Sequence, residues 1–331
     1  MQDAPNSIAI AEGRQRDLHA RLRRAYLAWV DMYVSRGQWR VMTFCYLALL
    51  PVLVLFGYVR VLPTINAFIL SVYKWELIDP IRPFVGLDNY WGLLEDENFL
   101  LALKNTLIFS PSVVVASTLL SLPLALFLAR KGKLSVVYQT IYFLPVITPL
   151  VPVSIAWKWI YDYNYGLLNY GLSLVGLPAV AWLTDADIAL WALVIMSVWK
   201  HLGQNLVFFL VGIRNIPSVY LEAAMIDGAD AWQQFRYITL PLLRPILLFV
   251  VVTSTINAFT VFTQVYVMTL GSQAAPGQAV RVIALDIYYN AFQYLHMGYA
   301  SAESVLLFIM VLAFTIIQFR LARSQKEGLD G

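Results

Sequence analysis

The sequence predicts an all-α membrane protein with six transmembrane helices, and three observations support that class. Of the 331 residues, 60% are hydrophobic and only 13% are charged, whereas soluble domains are about 45–50% apolar and about 25% charged. Six apolar runs reach the length of about 20 residues that a helix needs to cross a bilayer. Lysine and arginine are concentrated in alternate connections between those runs, which is typical of a multi-pass protein.

The predicted spans differ in how cleanly the sequence defines them. The first run has a soft edge because Arg60 and Pro63 interrupt it, so a long, kinked helix is expected there. Further prolines fall inside later spans, where neighbouring helices can satisfy the carbonyl groups that they leave free. The six predicted spans are 43–70, 101–129, 138–160, 188–211, 245–270 and 300–321.

The placement of basic residues predicts the direction of the spans. With a cytoplasmic N-terminus, 16 of the 23 lysines and arginines lie on the cytoplasmic side, in the first forty residues, after spans 2 and 4, and after span 6. Cytoplasmic loops carry an excess of basic residues. Both termini and the connection between spans 4 and 5 are therefore expected in the cytoplasm, with the chain in a bacterial cytoplasmic (inner) membrane.

These spans divide the chain into segments. Residues 1–40 are predicted to be a basic cytoplasmic arm, partly helical around 14–34, without the pattern of a signal peptide. Basic residues leave a nucleic-acid role open for this arm, but they are far commoner beside a first membrane helix, and no nucleic-acid partner is expected. The other predicted segments are a first transmembrane helix with an outer loop (41–100), a transmembrane core (101–323) containing a cytoplasmic loop (213–244), and a cytoplasmic tail (324–331).

The connections on the opposite side of the membrane carry acidic and aromatic residues. Aromatic side chains often anchor helix ends at the lipid–water boundary, and the same residues would also suit a docking surface for an external partner. The sequence leaves both interpretations open. The residues concerned are Trp75, Glu76, Asp79, Asp88, Tyr90, Trp91, Tyr161, Asp162, Tyr163, Tyr165 and Trp182.

The connection between spans 4 and 5 is predicted to form two short helices joined by a hinge. Gly228 suits the left-handed position that ends a helix. Asp230 is a good N-cap, and Gln233 three residues later completes a capping-box pattern. A proline at a first helical turn costs no hydrogen bond, and later prolines are expected to end the second helix before span 5. The prolines that bound the two helices in this interpretation are Pro217, Pro241 and Pro245.

This connection resembles the EAA loop of permease subunits in binding-protein-dependent ABC importers. Glu222-Ala223-Ala224 is followed at the family's spacing by Gly228 and by the pattern I-x-L-P at 238–241. The resemblance to the carbohydrate-uptake branch, the maltose- and glycerol-phosphate-type sugar permeases, extends from about residue 84 to the end of span 6. One departure is LGSQ at 270–273, where the family often has a glycine-rich turn. The further matching segments are FVGLDNY at 84–90, NT at 105–106, IP at 216–217, VYVMT at 265–269 and GYASA at 298–302.

The resemblance implies a fold, a role for the loop and a set of partners. The fold would be that of a type I importer permease, and the loop would be a coupling helix seated in a groove of a separate ATPase. The implied partners are a second, related permease, two copies of a nucleotide-binding ATPase, an extracytoplasmic solute-binding protein and the lipid bilayer. The implied coupling residues are Glu222, Ala223, Ala224, Asp227, Gly228 and Ala229.

The chain itself is expected to be a transport subunit that binds no cofactor, and not an enzyme. A loop that cradles phosphate needs the pattern G-x-x-x-x-G-K-[ST], and the only Gly-Lys pair, Gly132-Lys133, is followed by Leu134. ATP and Mg²⁺ are therefore expected on the partner ATPase. The three histidines are scattered along the sequence, and no catalytic or metal-binding cluster is recognisable.

Two predicted spans carry polar residues on one face. At 100° per residue, the polar residues of span 4 fall within an arc of about 100° and those of span 5 within about 60°. Such residues suggest a transport pathway, with hydrogen bonding between helices of the bundle as the alternative. The candidate pathway residues are Ser197, Lys200, His201 and Gln204 in span 4, and Thr253, Asn257, Thr260 and Gln264 in span 5.

The expected cargo is a neutral di- or oligosaccharide, because amides and hydroxyls beside aromatic rings such as Trp157, Trp199 or Phe259 suit a sugar. Lys200 leaves a second cargo open, since its ammonium would either pair with a carboxylate of the second permease or attract an anion such as glycerol phosphate or a uronate oligosaccharide. An ion-coupled secondary transporter is a distant alternative. Such transporters show inverted repeats, and no repeat is recognisable here.

Overall fold

A computed structural model describes residues 23–24, 26, 36–79, 81–129, 133–270 and 275–327. Within those residues the chain is helical, with one isolated antiparallel bridge between Tyr73 and Phe84. Five helices are long and apolar enough to cross a membrane, and a sharply bent helix pair raises the number to six. The predicted class of an all-α membrane protein is confirmed. Apart from a few residues, the helix predicted around 14–34 and the turn at 270–273 lie outside the described part of the chain.

Two compact units follow each other along the chain, the first ending at Asn66 and the second beginning at Ala67. The chain up to residue 70 forms helix α1 (Arg36–Phe56), a π-helical turn (Gly57–Val61) and helix α2 (Leu62–Leu70). The kink expected near Pro63 takes the form of this π turn, in which the N–H of Leu62 donates to the carbonyl of Gly57. Pro63 has no N–H to donate, so it interrupts the backbone hydrogen bonds of the helix. The wider π turn accommodates that interruption.

The second unit contains the four other membrane-length helices and the bent pair. Two of the long helices, α4 and α8, begin at aspartate N-caps, Asp96 and Asp185, whose side chains accept hydrogen bonds from backbone N–H groups of the first turn. The elements are α3 (Asp88–Glu95), α4 (Glu97–Leu128), α5 (Lys133–Ile147), α6 (Leu150–Ile160), α7 (Leu167–Leu174), α8 (Ala186–Arg214), α9 (Ser218–Ile226), α10 (Ala231–Gln234), a π turn (Phe235–Thr239), α11 (Leu240–Phe259), α12 (Thr263–Met268), α13 (Ile283–Tyr288), a π turn (Tyr289–Gln293) and α14 (Met297–Glu327).

Helix α8 lies at the centre of the second unit, where it packs against α4, α5 and α11. Half of its most apolar stretch is buried within the chain, against 11% for the span in α14, so α8 is the inner helix and α14 an outer one. The contact with α5 is close at Gly203, where an added Cβ would overlap the carbonyl oxygen of Tyr142. Glycine allows such an approach of two backbones because it has no side chain.

The third predicted span, 138–160, is not one straight helix. It consists of α5 and α6, which meet at an angle of 105° across residues 148 and 149. Pro149 has the extended conformation of a residue before a helix (φ −60°, ψ 143°). The sequence analysis placed these prolines inside one continuous helix. Here α5 ends beside them and α6 begins in a new direction.

The fifth predicted span, 245–270, was placed wrongly. The membrane-length helix runs through Ala231–Phe259, and residues 263–268 form the separate short helix α12. Pro241 and Pro245 do not end the preceding helix, because Pro241 lies in the first turn of α11 and the π turn before it shifts the hydrogen-bond ladder by one residue.

Candidate functional site

The loop between α8 and α11 has the predicted hinge. Helix α9 ends at Ile226, and Gly228 has φ +82°, in the left-handed region. The capping box is complete: Asp230 Oδ1 accepts from the N–H of Gln233 at 2.7 Å, and Gln233 Oε1 accepts from the N–H of Asp230 at 2.8 Å. Pro217 is the N-cap of α9 and not part of its first turn, so that detail of the prediction was wrong by one position.

The same loop exposes a surface that other parts of the described chain leave uncovered. Helix α9 buries none of its residues. The predicted coupling residues lie at this surface, with Ala224 and Ala229 half-buried and the other four exposed. Large apolar side chains surround them, including Ile226 at 87% exposure and Tyr237 at 74%. A helix of nine residues is too short to span a membrane, and an exposed apolar patch of this kind is typical of an interface.

The loop is joined to a membrane span without a break. The helix that starts at Ala231 continues through the π turn at 235–239 to Phe259. The N–H of Leu240 donates to the carbonyl of Phe235 across that turn, which keeps the backbone ladder continuous. Helix α10 and the fifth span are therefore parts of one continuous helix.

The polar face of span 4 is partly used inside the chain. Ser197 is buried and accepts a hydrogen bond from Gln264 Nε2 at 3.3 Å. The Lys200 ammonium donates to the carbonyl oxygens of Pro145 and, at 2.7 Å, of Thr148, in the bend between α5 and α6. His201 and Gln204 are half-buried. Interhelical bonding thus accounts for two of the four predicted pathway residues of this span.

The predicted polar stripe of span 5 does not form as one face. Its helix ends at Phe259, so Gln264 lies on α12, where it is buried against Ser197. Thr253 and Thr260 donate to carbonyls of their own helix, to Phe249 and Ile256 respectively. Asn257 and Thr260 are exposed on the second unit. A regular period of 100° per residue holds only within one unbroken helix.

Of the aromatic rings expected near a cargo, two lie together and one is in the core. Trp157 and Trp199 pack edge to face with centroids 5.4 Å apart. Phe259 is 2% exposed and packs on Phe314. A cavity of about 310 Å³ lies beside Trp199 at the bend, lined also by Pro145 and Thr148.

Replacing Lys200 with methionine is expected to lower the free energy of unfolding by about 1.5–3 kcal/mol, the usual range for a hydrogen bond to a charged group. The reason is that the carbonyls of Pro145 and Thr148 lose the donor that caps the bend. Denaturant unfolding in detergent measures the change. Lys104→Met is the matched control, because Lys104 is exposed in α4 and has no hydrogen bond within the described residues; equal stability of the two variants would contradict the capping role.

Of the residues expected at the membrane boundary, Tyr161 is buried and Trp182 is half-buried. Tyr161 is 2% exposed and donates to the carbonyl of Ala192 at 2.6 Å. Trp182 donates to Asn169 Oδ1 at 2.9 Å. Other members of that set, such as Tyr165 at 91% exposure, do face outward. Tyr161 is held by α8 and Trp182 by α7, and nothing in their local sequence distinguishes them from the exposed ones.

The motif FVGLDNY organises the loop between α2 and α3. Gly86 has φ +60°, a left-handed turn that favours glycine. Asn89 Nδ2 then donates to the carbonyls of Ser71 at 2.8 Å and Tyr73 at 3.0 Å, and Tyr90 donates to Ser71 Oγ. These residues hold the loop in place, which is a structural role.

The motif Asn105-Thr106 has a similar role at a longer range. Asn105 Nδ2 donates to the carbonyl of Arg281 at 2.9 Å, and Thr106 Oγ1 accepts from the N–H of Ile283 at 3.0 Å. Both bonds join α4 to the segment that enters α13, more than 170 residues later in the chain. The resemblance pointed to these residues, but only the fold shows what they bind.

A buried charged cluster in the same region was missed in the sequence analysis. The Arg281 guanidinium pairs with Asp286, with side chains 7% and 0% exposed, and Glu303 lies buried nearby with Asn290 as its donor. Glu303 falls inside the sixth predicted span. A carboxyl group in a membrane span is by default a site of function or pairing, and that signal would have found it.

Comparison with known proteins decides the family. The profile described as "Binding-protein-dependent transport system inner membrane component" matches residues 121–327. The chain belongs to this family. It is 35% identical, over 88% of its length and 98% of the relative's, to the trehalose/maltose transport system permease protein MalF of Thermococcus litoralis. It is 32% identical, over 83% and 93%, to the lactose transport system permease protein LacF of Rhizobium radiobacter.

Solved structures support the fold. A bacterial alginate ABC transporter, solved in complex with an alginate pentasaccharide-bound periplasmic protein, contains a chain that matches with a TM-score of 0.76 at 22% identity, over 89% of this chain and 98% of that one. The permease is thus a multi-span membrane component of an ABC importer with the type I importer permease fold. It is a transport subunit and not an enzyme.

Proposed function

We propose that this permease forms half of the translocation pathway of an ATP-driven sugar importer and couples to a separate ATPase through residues 222–229. The observation that carries the proposal is the exposed apolar surface of α9, joined through the Gly228 hinge to the fifth span. A second, related permease completes the pathway, and two ATPase subunits bind ATP and Mg²⁺. An extracytoplasmic solute-binding protein delivers the cargo, as the periplasmic protein bound to the alginate transporter suggests.

The proposed cargo is a neutral di- or oligosaccharide. Relatives at 35% and 32% identity are named for trehalose, maltose and lactose, which are all neutral disaccharides. Lys200 offers little to an anionic cargo, because two of its three ammonium donors already bond to backbone carbonyls at the bend. The alginate transporter shares the fold at too low an identity to argue for an acidic cargo.

The proposed orientation places both termini and the coupling loop in the cytoplasm of a bacterial cell, within the inner membrane. The distribution of lysine and arginine supports it. In this orientation α9 faces the ATPases, and the end of the bundle that carries α3, α13 and the start of α14 faces the solute-binding protein.

Gly228→Ala is expected to reduce sugar uptake about tenfold, because a residue with a Cβ in the left-handed region costs about 1–2 kcal/mol and the hinge would relax to another conformation. Gly176→Ala is the matched control, since Gly176 has a similar φ of +75° but lies between α7 and α8. Uptake of radiolabelled maltose or trehalose and co-purification of the ATPase with the tagged permease are measured together. Equal loss in both variants would contradict the coupling role.

A companion substitution, Glu222→Ala, separates coupling from folding. Glu222 is exposed and makes no hydrogen bond within the described residues, so the unfolding free energy should change by less than about 0.5 kcal/mol. Less ATPase should nevertheless co-purify. Full uptake by cells that lack the ATPase genes would overturn the proposed function as a whole.

A further inference from the structure

Two buried carboxyl groups share one cation at the end of the bundle opposite the coupling loop. Asp286 in α13 and Glu303 in α14 are both 0% exposed. Arg281 Nε donates to Asp286 Oδ1 at 2.7 Å, and a terminal guanidinium nitrogen lies 2.5 Å from the same oxygen. If both carboxyls were ionised, one negative charge would be left uncompensated in a site without solvent contact, which is costly.

Two of the four carboxyl oxygens also lack a hydrogen-bond partner within the described residues, namely Asp286 Oδ2 and Glu303 Oε2. The other oxygen of Glu303 accepts from Asn290 Nδ2 at 2.8 Å. The two carboxyl groups lie close enough for each to affect the ionisation of the other. Ionised carboxylates only accept hydrogen bonds, whereas a protonated one donates, so one added proton removes both the unpaired oxygens and the excess charge.

The groups around the pair do not offer another source of compensation. Arg281 is the one cation that acts on Asp286 within the described residues, and it also donates to Asn98 Oδ1 at 3.1 Å. Asp96, the N-cap of α4, adds a further negative charge nearby and accepts from the Tyr299 hydroxyl at 2.9 Å. Burial raises the pKa of Asp286 above its ordinary value, although the Arg281 charge opposes that shift.

We propose that Asp286 and Glu303 together bind one proton, held between Asp286 Oδ2 and Glu303 Oε2, and that this proton ties the start of span 6 to the preceding segment. A cavity of about 520 Å³ lies beside the pair, since Asn290 both lines that cavity and donates to Glu303. Asp96 and Tyr299 line it as well. The site does not depend on the proposed cargo or on the coupling loop.

The sign of the pH dependence follows from proton linkage. The folded chain holds the proton more tightly than the unfolded chain, in which each carboxyl titrates at its ordinary value. The stability that the proton contributes is therefore complete at acidic pH and is lost as the pH rises through the pKa of Asp286, which burial raises. A carboxylate stabilised by a salt bridge alone would show the opposite trend.

Infrared spectroscopy of the purified chain in lipid bilayers tests the proposal. At neutral pH the wild-type chain should show the C=O stretching band of a protonated carboxylic acid, sensitive to D₂O, which disappears only at a higher pH than that of ordinary carboxyls. Glu303→Gln should lose the band, while Glu97→Gln, a change of an exposed glutamate in the first turn of α4, should keep it.

A thermal unfolding series over pH gives an independent readout. Glu303→Gln should stay folded, because its amide can donate to Asp286 and accept from Asn290, and its melting temperature should lose the alkaline decline of the wild type. Absence of the band at neutral pH in the wild-type chain would overturn the proposal without any variant, as would a band that persists unchanged in Glu303→Gln.

Discussion

Gly203→Leu is expected to lower the free energy of unfolding by about 3 kcal/mol or more, at the upper end of the usual cost of overpacking. The side chain would have to enter the space that the carbonyl of Tyr142 occupies, with Val146 beside it. A backbone atom cannot move aside by changing a rotamer, so α5 would separate from α8. Lys200 of α8 also donates to the carbonyls of Pro145 and Thr148 at the end of α5, and separation of the two helices would break these hydrogen bonds.

Thermal unfolding and size-exclusion chromatography in detergent measure this loss. Gly171→Leu is the matched control, because Gly171 is a helical glycine in α7 whose added Cβ would meet nothing within 4 Å. The control variant should elute and melt like the wild type. If Gly203→Leu did the same, the close approach of α5 and α8 would be wrong.

Arg281→Met is expected to cost about 3–5 kcal/mol, the usual range for removing one partner of a buried ion pair. Methionine fills part of the same volume but leaves Asp286 without a cation in a site that is 0% exposed. Without the guanidinium, only protons can neutralise the two carboxyls, and protons are scarce at alkaline pH. The loss of stability should therefore be greater at alkaline than at acidic pH. Denaturant unfolding at two pH values measures the effect and its sign.

A control outside the cluster and a double variant within it separate charge from packing. Arg82→Met removes an exposed guanidinium that lies 4.1 Å from the Trp75 ring, and should cost about 0.5–1 kcal/mol at most. Adding Asp286→Asn to Arg281→Met should restore part of the stability, since Glu303 is then the one carboxyl of the pair left to be neutralised. A double variant as unstable as Arg281→Met alone would show that lost packing, and not charge, dominates.

The hinge of the coupling loop was predictable because its determinants are local. Gly228 and the Asp230–Gln233 capping box act within one turn of backbone, and each residue type suits one conformation. The position of span 5 was not predictable in this way. Pro241 is a helix breaker in isolation, but a π turn beside it keeps the helix continuous from Ala231 to Phe259.

By itself, the sequence determined the class of the protein and the conformation of its hinge, because composition and short-range hydrogen bonding set these properties. Only the tertiary structure decided which polar groups pair. Lys200 reaches a carbonyl 55 residues away, and Asn105 one that is 176 residues away. Inside a membrane an unpaired polar group is costly, so the partner that a polar side chain finds depends on which helices pack together, and one-dimensional patterns do not encode that choice.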